Sequence, residues 1–228
     1  MVTLVPVANY LITGVSRGIG RAAAERLLAD GHQVYGTVRT EPPGLPLAGF
    51  VTLDLAEPAA FDQALAPLLA QLPALDGVVH AAGIVRPGPL ADTRPADFTE
   101  QFTVNVTAVA ELTRCLLPAL RAAAGTVLLV NSGSGLNARP PLSSYGAAKH
   151  ALRGYADALR QEEPALRVCS LYPGRTDTEM QRAVRAAESG EYQAESYLRP
   201  ETVAGVIATV LALPRDATIT DLTLRPAT

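Results

Sequence analysis

The amino-acid sequence predicts an α/β domain in which a parallel β-sheet of seven strands is covered by helices on both faces. Short apolar runs alternate with longer Ala- and Leu-rich segments of helical spacing along the whole chain. Most of the apolar runs are nearly continuous, which is typical of parallel strands that are buried on both faces. A length of 228 residues suits one such domain, so we expect residues 1–228 to form a single domain.

Seven segments are predicted as strands and five as helices. The strands are Tyr10–Thr13, Gln33–Arg39, Phe50–Asp54, Val78–Ala81, Thr126–Val130, Arg167–Tyr172 and Thr218–Leu224. The helices are Ile19–Ala29, Ala59–Gln71, Ala96–Arg121, Ser144–Glu163 and Glu201–Leu213. Gly31 follows the first helix as its expected C-terminal cap. The segment Arg175–Leu198 is polar and has no clear strand character, and it follows a strand end, where ligands bind in such sheets.

The composition is that of an ordinary globular protein, with 48% hydrophobic and 18% charged residues. A net charge of −3 without any basic run argues against nucleic acid as a partner, and no apolar stretch reaches the roughly 18 residues of a membrane helix. The two cysteines form no CxxC and the three histidines lack ligand spacing, so we expect no metal site. Two buried thiols and no signal peptide predict a cytoplasmic protein.

The first strand runs directly into a glycine-rich turn, Thr13-Gly14-Val15-Ser16-Arg17-Gly18-Ile19-Gly20, and then into a helix. Glycines there let the backbone turn tightly and approach a phosphate, while the helix N-terminus offers free N–H groups and a favourable dipole. A purely structural turn is the alternative, because glycine clusters between a strand and a helix are common. The position on the first strand favours dinucleotide binding.

The end of the second strand indicates which dinucleotide binds. An NAD site usually places an acid there to hold the ribose hydroxyls. This sequence has none, and Arg39 stands at the strand end, while Arg17 in the glycine turn can point to the same place. Two guanidiniums suit a 2′-phosphate. Arginine is also the default basic residue of this chain, so Arg39 can equally be a solvated strand end. The missing acid favours NADP(H) over NAD(H).

The only lysine of the chain, Lys149, follows Tyr145 by four residues on a predicted helix, so the two side chains share one face. A cation favours the phenolate and lowers the tyrosine pKa, which gives the pair a chemical purpose as an acid/base unit. The alternative is an amphipathic helix with a half-buried tyrosine and a snorkelling lysine. Upstream, a strand ends near Ser132 and Ser134, and either hydroxyl could hold a substrate oxygen.

These motifs together resemble the short-chain dehydrogenase/reductase family over essentially the whole chain. The glycine turn matches the TGxxxGxG of the family, and Tyr145 with Lys149 matches its YxxxK. Ser132 lies thirteen residues before the tyrosine, which is the family spacing and selects it over Ser134. Ala81-Ala82-Gly83 occupies the place of the family's Asn-Ala-Gly, with Ala for Asn, and so lacks a side chain that usually steadies the turn.

The resemblance implies a single-domain Rossmann fold and an NADP(H)-dependent oxidoreductase that interconverts a carbonyl and an alcohol. Its expected catalytic residues are Asn105, Ser132, Tyr145 and Lys149. Its expected cofactor contacts are Gly14, Ser16, Arg17, Gly18, Ile19, Gly20, Arg39, Asp54, Leu55, Ala82, Gly83, Tyr145, Lys149, Pro173, Gly174, Thr176 and Thr178. Among them, Asp54-Leu55 matches the adenine position, and Pro173–Thr178 matches the segment that cradles the nicotinamide.

The resemblance also implies a mechanism. Ser132 and Tyr145 donate hydrogen bonds to a substrate carbonyl, hydride moves from the cofactor to the carbonyl carbon, and Tyr145 delivers the proton. Lys149 bonds the ribose hydroxyls and lowers the tyrosine pKa, and the backbone carbonyl of Asn105 holds a water. A non-catalytic NADP(H)-binding regulator is the alternative, and an epimerase or dehydratase is a third possibility. His80 and His150 are expected to be structural.

The Arg175–Leu198 segment is expected to close over the substrate as a lid. Its Met180, Tyr192, Tyr197 and Leu198 form an apolar wall in one hypothesis. In another, Arg175, Arg182 and Arg185 meet an anionic substrate, although solvated arginines suit the composition better. By family resemblance we expect a homodimer or homotetramer that associates through the faces of Ala96–Arg121 and Ser144–Glu163.

Overall fold

Seven parallel strands form one sheet in the computed structural model, which describes residues 6–40 and 44–227. The strands are β1 (Asn9–Thr13), β2 (Gln33–Val38), β3 (Gly49–Thr52), β4 (Gly77–His80), β5 (Thr126–Val130), β6 (Arg167–Pro173) and β7 (Asp221–Leu224). Their order across the sheet is β3-β2-β1-β4-β5-β6-β7. The fold is therefore the predicted doubly wound Rossmann sheet. The part of the signal-peptide prediction that concerns residues 1–5 lies outside the described residues.

Seven α-helices in the described part of the chain connect these strands or cover them. They are α1 (Gly18–Ala29), α2 (Phe61–Leu69), α3 (Pro95–Phe102), α4 (Ala108–Ala123), α5 (Ser143–Glu162), α6 (Glu179–Ala187) and α7 (Pro200–Leu211). Gly31 follows Asp30, the C-cap residue of α1, and has a φ of +87°, in keeping with its predicted capping role. None of these helices combines the length and the apolar character that crossing a membrane requires.

The two faces of the sheet carry two separate hydrophobic cores, because successive side chains of a strand point to opposite faces. Leu11 belongs to the core under α2, α4 and α5, and its neighbour Ile12 belongs to the core under α1 and α7. Val78 and Val79 of β4 divide in the same way. Cys115 and Cys169 are both buried free thiols, as the sequence predicted. Covering both faces leaves the carboxyl edge of the sheet open for a site.

Two predicted elements differ from the structure. The helix predicted over Ala96–Arg121 is divided by a π-helical turn at Thr103–Thr107, which separates α3 from α4. The segment Arg175–Leu198, predicted without regular structure, contains α6. Only Val184 of that helix is buried, so the sequence offers little apolar periodicity there. The remaining differences are short shifts of element ends, the largest being β7, which begins at Asp221 instead of Thr218.

The strand order places the site. From β1 the chain builds β2 and β3 on one side, and it then crosses back to add β4 on the other side of β1. Ligands bind at such a reversal point, outside the carboxyl ends of the strands. The loops that follow β1, β4, β5 and β6 all meet there, and they carry the glycine turn and the other motifs.

Candidate active site

A cleft of about 1690 Å³ runs along the carboxyl edge of the sheet. The four expected catalytic residues line it, and so do sixteen of the seventeen expected cofactor contacts. Gly20 is the exception. A Cβ at Gly20 would lie 2.4 Å from the Gly14 carbonyl oxygen, so this glycine packs behind the turn and does not face the ligand. Its role is to let α1 approach β1 closely.

The glycine turn forms a cradle that fits a phosphate. Gly14 has a φ of +73°, and a Cβ there would lie 3.1 Å from Ala82. Gly18 has a φ of +57°. Helix α1 begins at Gly18 without a side-chain cap and without an acid in its first turn. Its first N–H groups are therefore not satisfied by a side chain and point toward the cleft, which is the arrangement that binds the pyrophosphate of a dinucleotide.

The end of β2 presents Arg39 to the cleft and carries no acid. Arg39 is exposed and has no ion-pair partner among the described residues. Arg17 lies nearby in the glycine turn, but its Nη1 atom bonds the Oε2 atom of Glu179 at 2.5 Å. Glu179 is the first residue of α6, so this ion pair joins the glycine turn to the Arg175–Leu198 segment. Both side chains are largely exposed.

The outer walls of the cleft come from β3 and β6. Asp54 and Leu55 follow β3, and the carboxylate of Asp54 accepts a hydrogen bond from the Ala56 amide at 2.9 Å, which shapes the local turn. Pro173 ends β6 and leads into the Gly174–Thr178 stretch. Thr176 and Thr178 hydroxyls donate to nearby backbone carbonyls, and the Thr178 side chain also caps the N-terminus of α6.

Tyr145 and Ser132 lie side by side at the centre of the cleft. Tyr145 comes from the first turn of α5 and is 8% exposed, while Ser132 follows β5. Burial raises the pKa of the Tyr145 phenol, and a hydrogen bond with Ser132 opposes that shift. At neutral pH the tyrosine is therefore protonated. Two hydroxyls that face one region of the cleft suit the binding of a single substrate oxygen.

Lys149 is buried one helical turn beyond Tyr145 and is 5% exposed. Its Nζ atom donates to the carbonyl oxygen of Val130 at 3.1 Å and lies 5.8 Å from the centre of the Tyr145 ring. Burial lowers the pKa of Lys149 to about 8. The ammonium is consequently charged at neutral pH but held near its titration point, next to the phenol whose charge it can stabilise.

Asn105 sits in the π-helical turn between α3 and α4 and is buried. Its side-chain oxygen accepts from the Ile84 amide at 3.1 Å, and its side-chain nitrogen donates to the Ile84 carbonyl at 3.0 Å. A Cβ at Gly83 would lie 2.7 Å from the Asn105 oxygen and 4.0 Å from Lys149 Nζ. This glycine therefore lets the turn after β4 approach both residues. Turns of the π type are frequent at functional sites.

Three polar residues that the sequence interpretation missed hold this geometry. The Thr13 hydroxyl accepts from the amides of Ala81 and Ala82, at 3.0 and 2.9 Å. Asn131 accepts from the Ser132 amide at 2.8 Å and donates to the Lys149 carbonyl at 3.1 Å. Gln101 is fully buried and donates to the Ser144 hydroxyl, beside Tyr145. Thr13 and Asn131 lie at strand ends next to a motif, which is the only signal in the sequence that could have revealed them. Gln101 lies near the C-terminal end of α3 and has no such signal.

The predicted apolar wall of the Arg175–Leu198 segment is mostly absent. Met180 lines the cleft, whereas Leu198 is buried in the core beneath α1 and α7. Tyr192 and Tyr197 do not line the cleft; their rings pack edge to face with centroids 5.0 Å apart. The hypothesis of an anion site on the lid arginines is not favoured either. Arg175 and Arg185 pair with Glu188, and Arg182 pairs with Asp177.

Neither of the two histidines near the cleft lines it. His80 is buried at the end of β4, where its Nε2 atom bonds the Thr113 hydroxyl at 3.0 Å. Burial lowers the pKa of His80 to about 3, so the ring is neutral. His150 is exposed and bonds the Gly146 carbonyl of its own helix at 2.8 Å. Both contacts are structural, in line with the sequence interpretation.

A cluster of Asp62, Glu111 and Cys115 lies outside the cleft and brings together three side chains of metal-ligating type. Arg114 already bonds both carboxylates. Burial and the hydrogen bond with Asp62 raise the pKa of the Cys115 thiol to about 12, so it is protonated. The cluster is therefore an arginine-centred ion pair of the surface.

Comparison with known proteins identifies the family of this chain. The family model for short chain dehydrogenases matches residues 8–189. The 3-oxoacyl-(acyl-carrier-protein) reductase FabG of Salmonella typhimurium is 29% identical over 184 residues, which are 76% of this chain and 75% of that protein. The NADPH-dependent 3-dehydrocapnine reductase of Ornithobacterium rhinotracheale is 33% identical over 186 residues, 75% of this chain and 66% of that protein.

Among solved structures, an alcohol dehydrogenase from the archaeon Thermococcus sibiricus, complexed with 5-hydroxy-NADP, matches with a TM-score of 0.86. Its sequence is 25% identical, and the match covers 97% of each chain. The fold, the cleft and the family match over most of the length lead to one conclusion. This chain belongs to the short-chain dehydrogenase family.

Proposed function

We propose that this protein is an NADP(H)-dependent oxidoreductase that interconverts a carbonyl and an alcohol, with Tyr145 as its acid and base. One observation carries the proposal. Asn105, Ser132 and the Tyr145–Lys149 pair come from three separate parts of the chain, and they line one cleft together with an uncapped glycine turn. A regulator that only binds a nucleotide has no physical need for this complete set. The oxidoreductase is therefore favoured over the non-catalytic alternative.

The cleft fits a nicotinamide dinucleotide, and each part of it has an assigned contact. The glycine turn would hold the pyrophosphate, and Asp54 and Leu55 would contact the adenine. Ala82 and Gly83 would contact the part of the cofactor that lies between its adenine and nicotinamide ends. The segment from Pro173 through Gly174 and Thr176 to Thr178 would hold the nicotinamide. When bound, the nicotinamide supplies or accepts the hydride.

The residues of this chain manage the proton and the developing charge. Ser132 and Tyr145 donate hydrogen bonds to the carbonyl oxygen of the substrate, which stabilises negative charge on that oxygen. Tyr145 then gives up its proton to form the alcohol, and it takes a proton back in the reverse direction. The buried ammonium of Lys149 favours the phenolate that this transfer leaves behind. Burial of Tyr145 and Lys149 limits the contact of bulk water with the phenol and the ammonium.

The preference for NADP(H) over NAD(H) rests on the end of β2. Arg39 presents to the cleft a guanidinium that has no ion-pair partner among the described residues, where NAD-dependent enzymes of this fold carry an acid. Arg17 can join it once Glu179 releases the guanidinium. The similarity to the NADPH-dependent 3-dehydrocapnine reductase and to the alcohol dehydrogenase complexed with 5-hydroxy-NADP supports the same preference.

We also propose that residues 1–228 form one domain. Residues 175–198 are proposed to act as a lid, because α6 lies against the glycine turn through the Arg17–Glu179 pair. The substrate is a small molecule with a carbonyl or an alcohol group. Subunits are proposed to associate through the faces of Ala96–Arg121, which spans α3 and α4, and Ser144–Glu163, which corresponds to α5.

The experiment that tests the cofactor proposal is a titration with NADPH and, separately, NADH, followed by nicotinamide fluorescence. The chain has no tryptophan, so the protein background is low. We expect tight NADPH binding and weak NADH binding. Tighter binding of NADH would overturn the cofactor preference but leave the fold and reaction class standing. Binding of neither would bring the regulator or scaffold alternative to the front.

The experiment that tests the reaction is the Tyr145→Phe variant. We expect the variant to bind NADPH as tightly as the wild type and to lose turnover by about 10²- to 10⁴-fold, because the general acid is removed and the ring is kept. Consumption of NADPH is followed with a panel of carbonyl compounds. A variant that retains the wild-type rate would remove Tyr145 from its proposed role.

A further inference from the structure

The segment that begins with the last residue of β7, Leu224–Pro226, runs along the substrate end of the cleft, and we call it the C-terminal strap. The Leu224 carbonyl accepts a hydrogen bond from the Gly174 amide at 2.7 Å. A Cβ at Gly174 would lie 3.0 Å from Pro226 Cδ, and a Cβ at Gly133 would lie 3.3 Å from Arg225 Nη2. Neither glycine has a positive φ. Both therefore serve to leave room for the strap, one beside Ser132 and the other beside Pro173.

The Arg225 side chain lies across these two glycines and faces the cleft. Three guanidinium atoms, Cζ, Nη1 and Nη2, lie 3.3–3.5 Å from the Cβ position of Gly133. Nη1 donates to the carbonyls of Tyr172 and Leu224, at 2.9 and 3.2 Å. These two bonds fix the position of the group. Nε and Nη2 have no hydrogen-bond acceptor among the described residues, so their donors remain available next to the turn that carries Ser132.

The charge of Arg225 is also unbalanced. Three other arginines that line the cleft, Arg86, Arg175 and Arg182, are each paired with a carboxylate of the chain. In the described part of the protein, no acidic side chain lies within ion-pair distance of Arg225. A guanidinium anchored by backbone carbonyls, with free donors in a cleft, is suited to bind a carboxylate by charge-assisted hydrogen bonds.

We propose that Arg225 is a specificity-determining residue that binds an anionic oxygen group of the substrate. The substrate class is a carbonyl compound that carries a carboxylate a few bonds from the reacting carbonyl, so that Ser132 and Tyr145 hold the carbonyl while Arg225 holds the carboxylate. The inference rests on the proposed function for the reacting carbonyl. Beyond that function, Arg225 determines which carbonyl compounds are preferred as substrates.

The test compares two ketones of the same shape, acetoacetate and 4-methylpentan-2-one, in which a carboxylate replaces an isopropyl group. For the wild type and for Arg225→Gln we measure the ratio of kcat/KM for acetoacetate to that for 4-methylpentan-2-one. Loss of a charged hydrogen bond to substrate is expected to lower this ratio by about 10- to 100-fold. Arg225→Lys keeps the positive charge but loses the planar pair of guanidinium donors, and it is expected to give an intermediate ratio.

Arg215→Gln is the matched control. Arg215 also bonds backbone carbonyls, those of Ala123 and Ala124, but it does not line the cleft. Its replacement should leave the ratio at the wild-type value. An equal fall of kcat/KM for both ketones in Arg225→Gln would show that Arg225 only holds the strap, and it would overturn the proposal.

Calorimetry of acetoacetate binding to the NADPH complex separates this proposal from the general function. If the wild type reduces neither ketone but binds acetoacetate, and Arg225→Gln weakens that binding about tenfold or more, the specificity role stands and the proposed reaction fails. If the wild type reduces both ketones equally and Arg225→Gln changes neither value, the reaction stands and the specificity role fails.

Discussion

Two polar side chains at strand ends, Thr13 and Asn131, hold the backbone of the cleft in place. Thr13 uses one hydroxyl to bind two consecutive amides of the turn after β4. That turn carries Ala81 where the family has asparagine, so it lacks the side chain that usually steadies it. The Thr13 hydroxyl holds the turn in place instead. Asn131 ties the turn that carries Ser132 to the backbone of Lys149. The positions of the reacting groups therefore depend on residues that need not touch the substrate.

His80 should make the stability of the protein depend on pH. Its pKa is about 3 in the folded chain and about 6.5 when unfolded, so between these values the unfolded chain binds a proton that the native state does not. Stability is therefore lost as the pH falls below 6.5. From pH 7 to pH 5 the free energy of unfolding should fall by about 2 kcal/mol on this account.

Urea unfolding of the wild type and of His80→Gln at both pH values measures this contribution. The variant is expected to be less stable overall but to lose about 2 kcal/mol less between pH 7 and pH 5. His150→Gln, at an exposed position, should keep the wild-type dependence on pH. Equal pH dependence in the wild type and His80→Gln would contradict the assignment.

Lys149 should control the pH at which Tyr145 acts as a base. Burial raises the pKa of Tyr145, and the Lys149 charge is the cation next to it. In Lys149→Met, the midpoint of the pH profile of kcat/KM for alcohol oxidation is expected to rise by about one pH unit or more. Lys149→Arg keeps a charge and should shift the midpoint less. An unchanged midpoint in Lys149→Met would show that burial and Ser132 alone set the tyrosine pKa.

At the scale of elements, the sequence predicts those that bury apolar residues in a regular pattern. The strands and the glycine turn follow from continuous apolar runs and from the spacing of three glycines. The π-helical turn around Asn105 is not visible in the sequence, because its apolar pattern continues that of α3 and α4. Helix α6 is also missed, since it buries only Val184. Arg225 could not be predicted as a site residue because only the pairing of β7 with β6 brings it to the cleft.

The contact between α6 and the glycine turn should lower the affinity for NADPH. Arg17 cannot bind Glu179 and a 2′-phosphate with the same donors. In Glu179→Gln the guanidinium is free, and the dissociation constant of NADPH should fall by about two- to fivefold, as the modest value of an exposed ion pair allows. The dissociation constant of NADH should not change.

Fluorescence titration with both nucleotides provides this measurement. Glu201→Gln is the control, because Glu201 is another exposed carboxylate that lines the cleft and has no described ion pair. Weaker NADPH binding in Glu179→Gln would mean that the ion pair instead holds the lid closed over the cofactor.

At the scale of the whole molecule, one sheet with two separate cores supports the cleft. The sequence predicted this arrangement because β-strands buried on both faces need helices on both sides. It also predicted where the site lies, since the motifs follow strand ends. The shape of the substrate end depends on long-range packing of α6 and of the C-terminal strap, which no local pattern of residues encodes.

The proposed association of subunits can be tested on α5. Gly154 is exposed in the middle of that helix, and a Cβ there would meet nothing within 4 Å in a single chain. Light scattering of the wild type should give about two or four times 23.8 kDa. Gly154→Arg should lower that mass, while Gly154→Ala should keep it and gain about 0.5–1 kcal/mol of helix stability. A monomer mass for the wild type would remove the proposal.

Every pair of neighbouring strands in the described sheet is parallel, and this has a consequence for how the chain folds. The sheet has no hairpin, so each pairing must close a long loop before any contact compensates for the lost entropy. Refolding should therefore be slow, and apolar strands should stay exposed to aggregation meanwhile. A low yield of folded protein for any variant can then result from aggregation during folding as well as from a less stable native structure. Its equilibrium unfolding has to be measured before it is judged unstable.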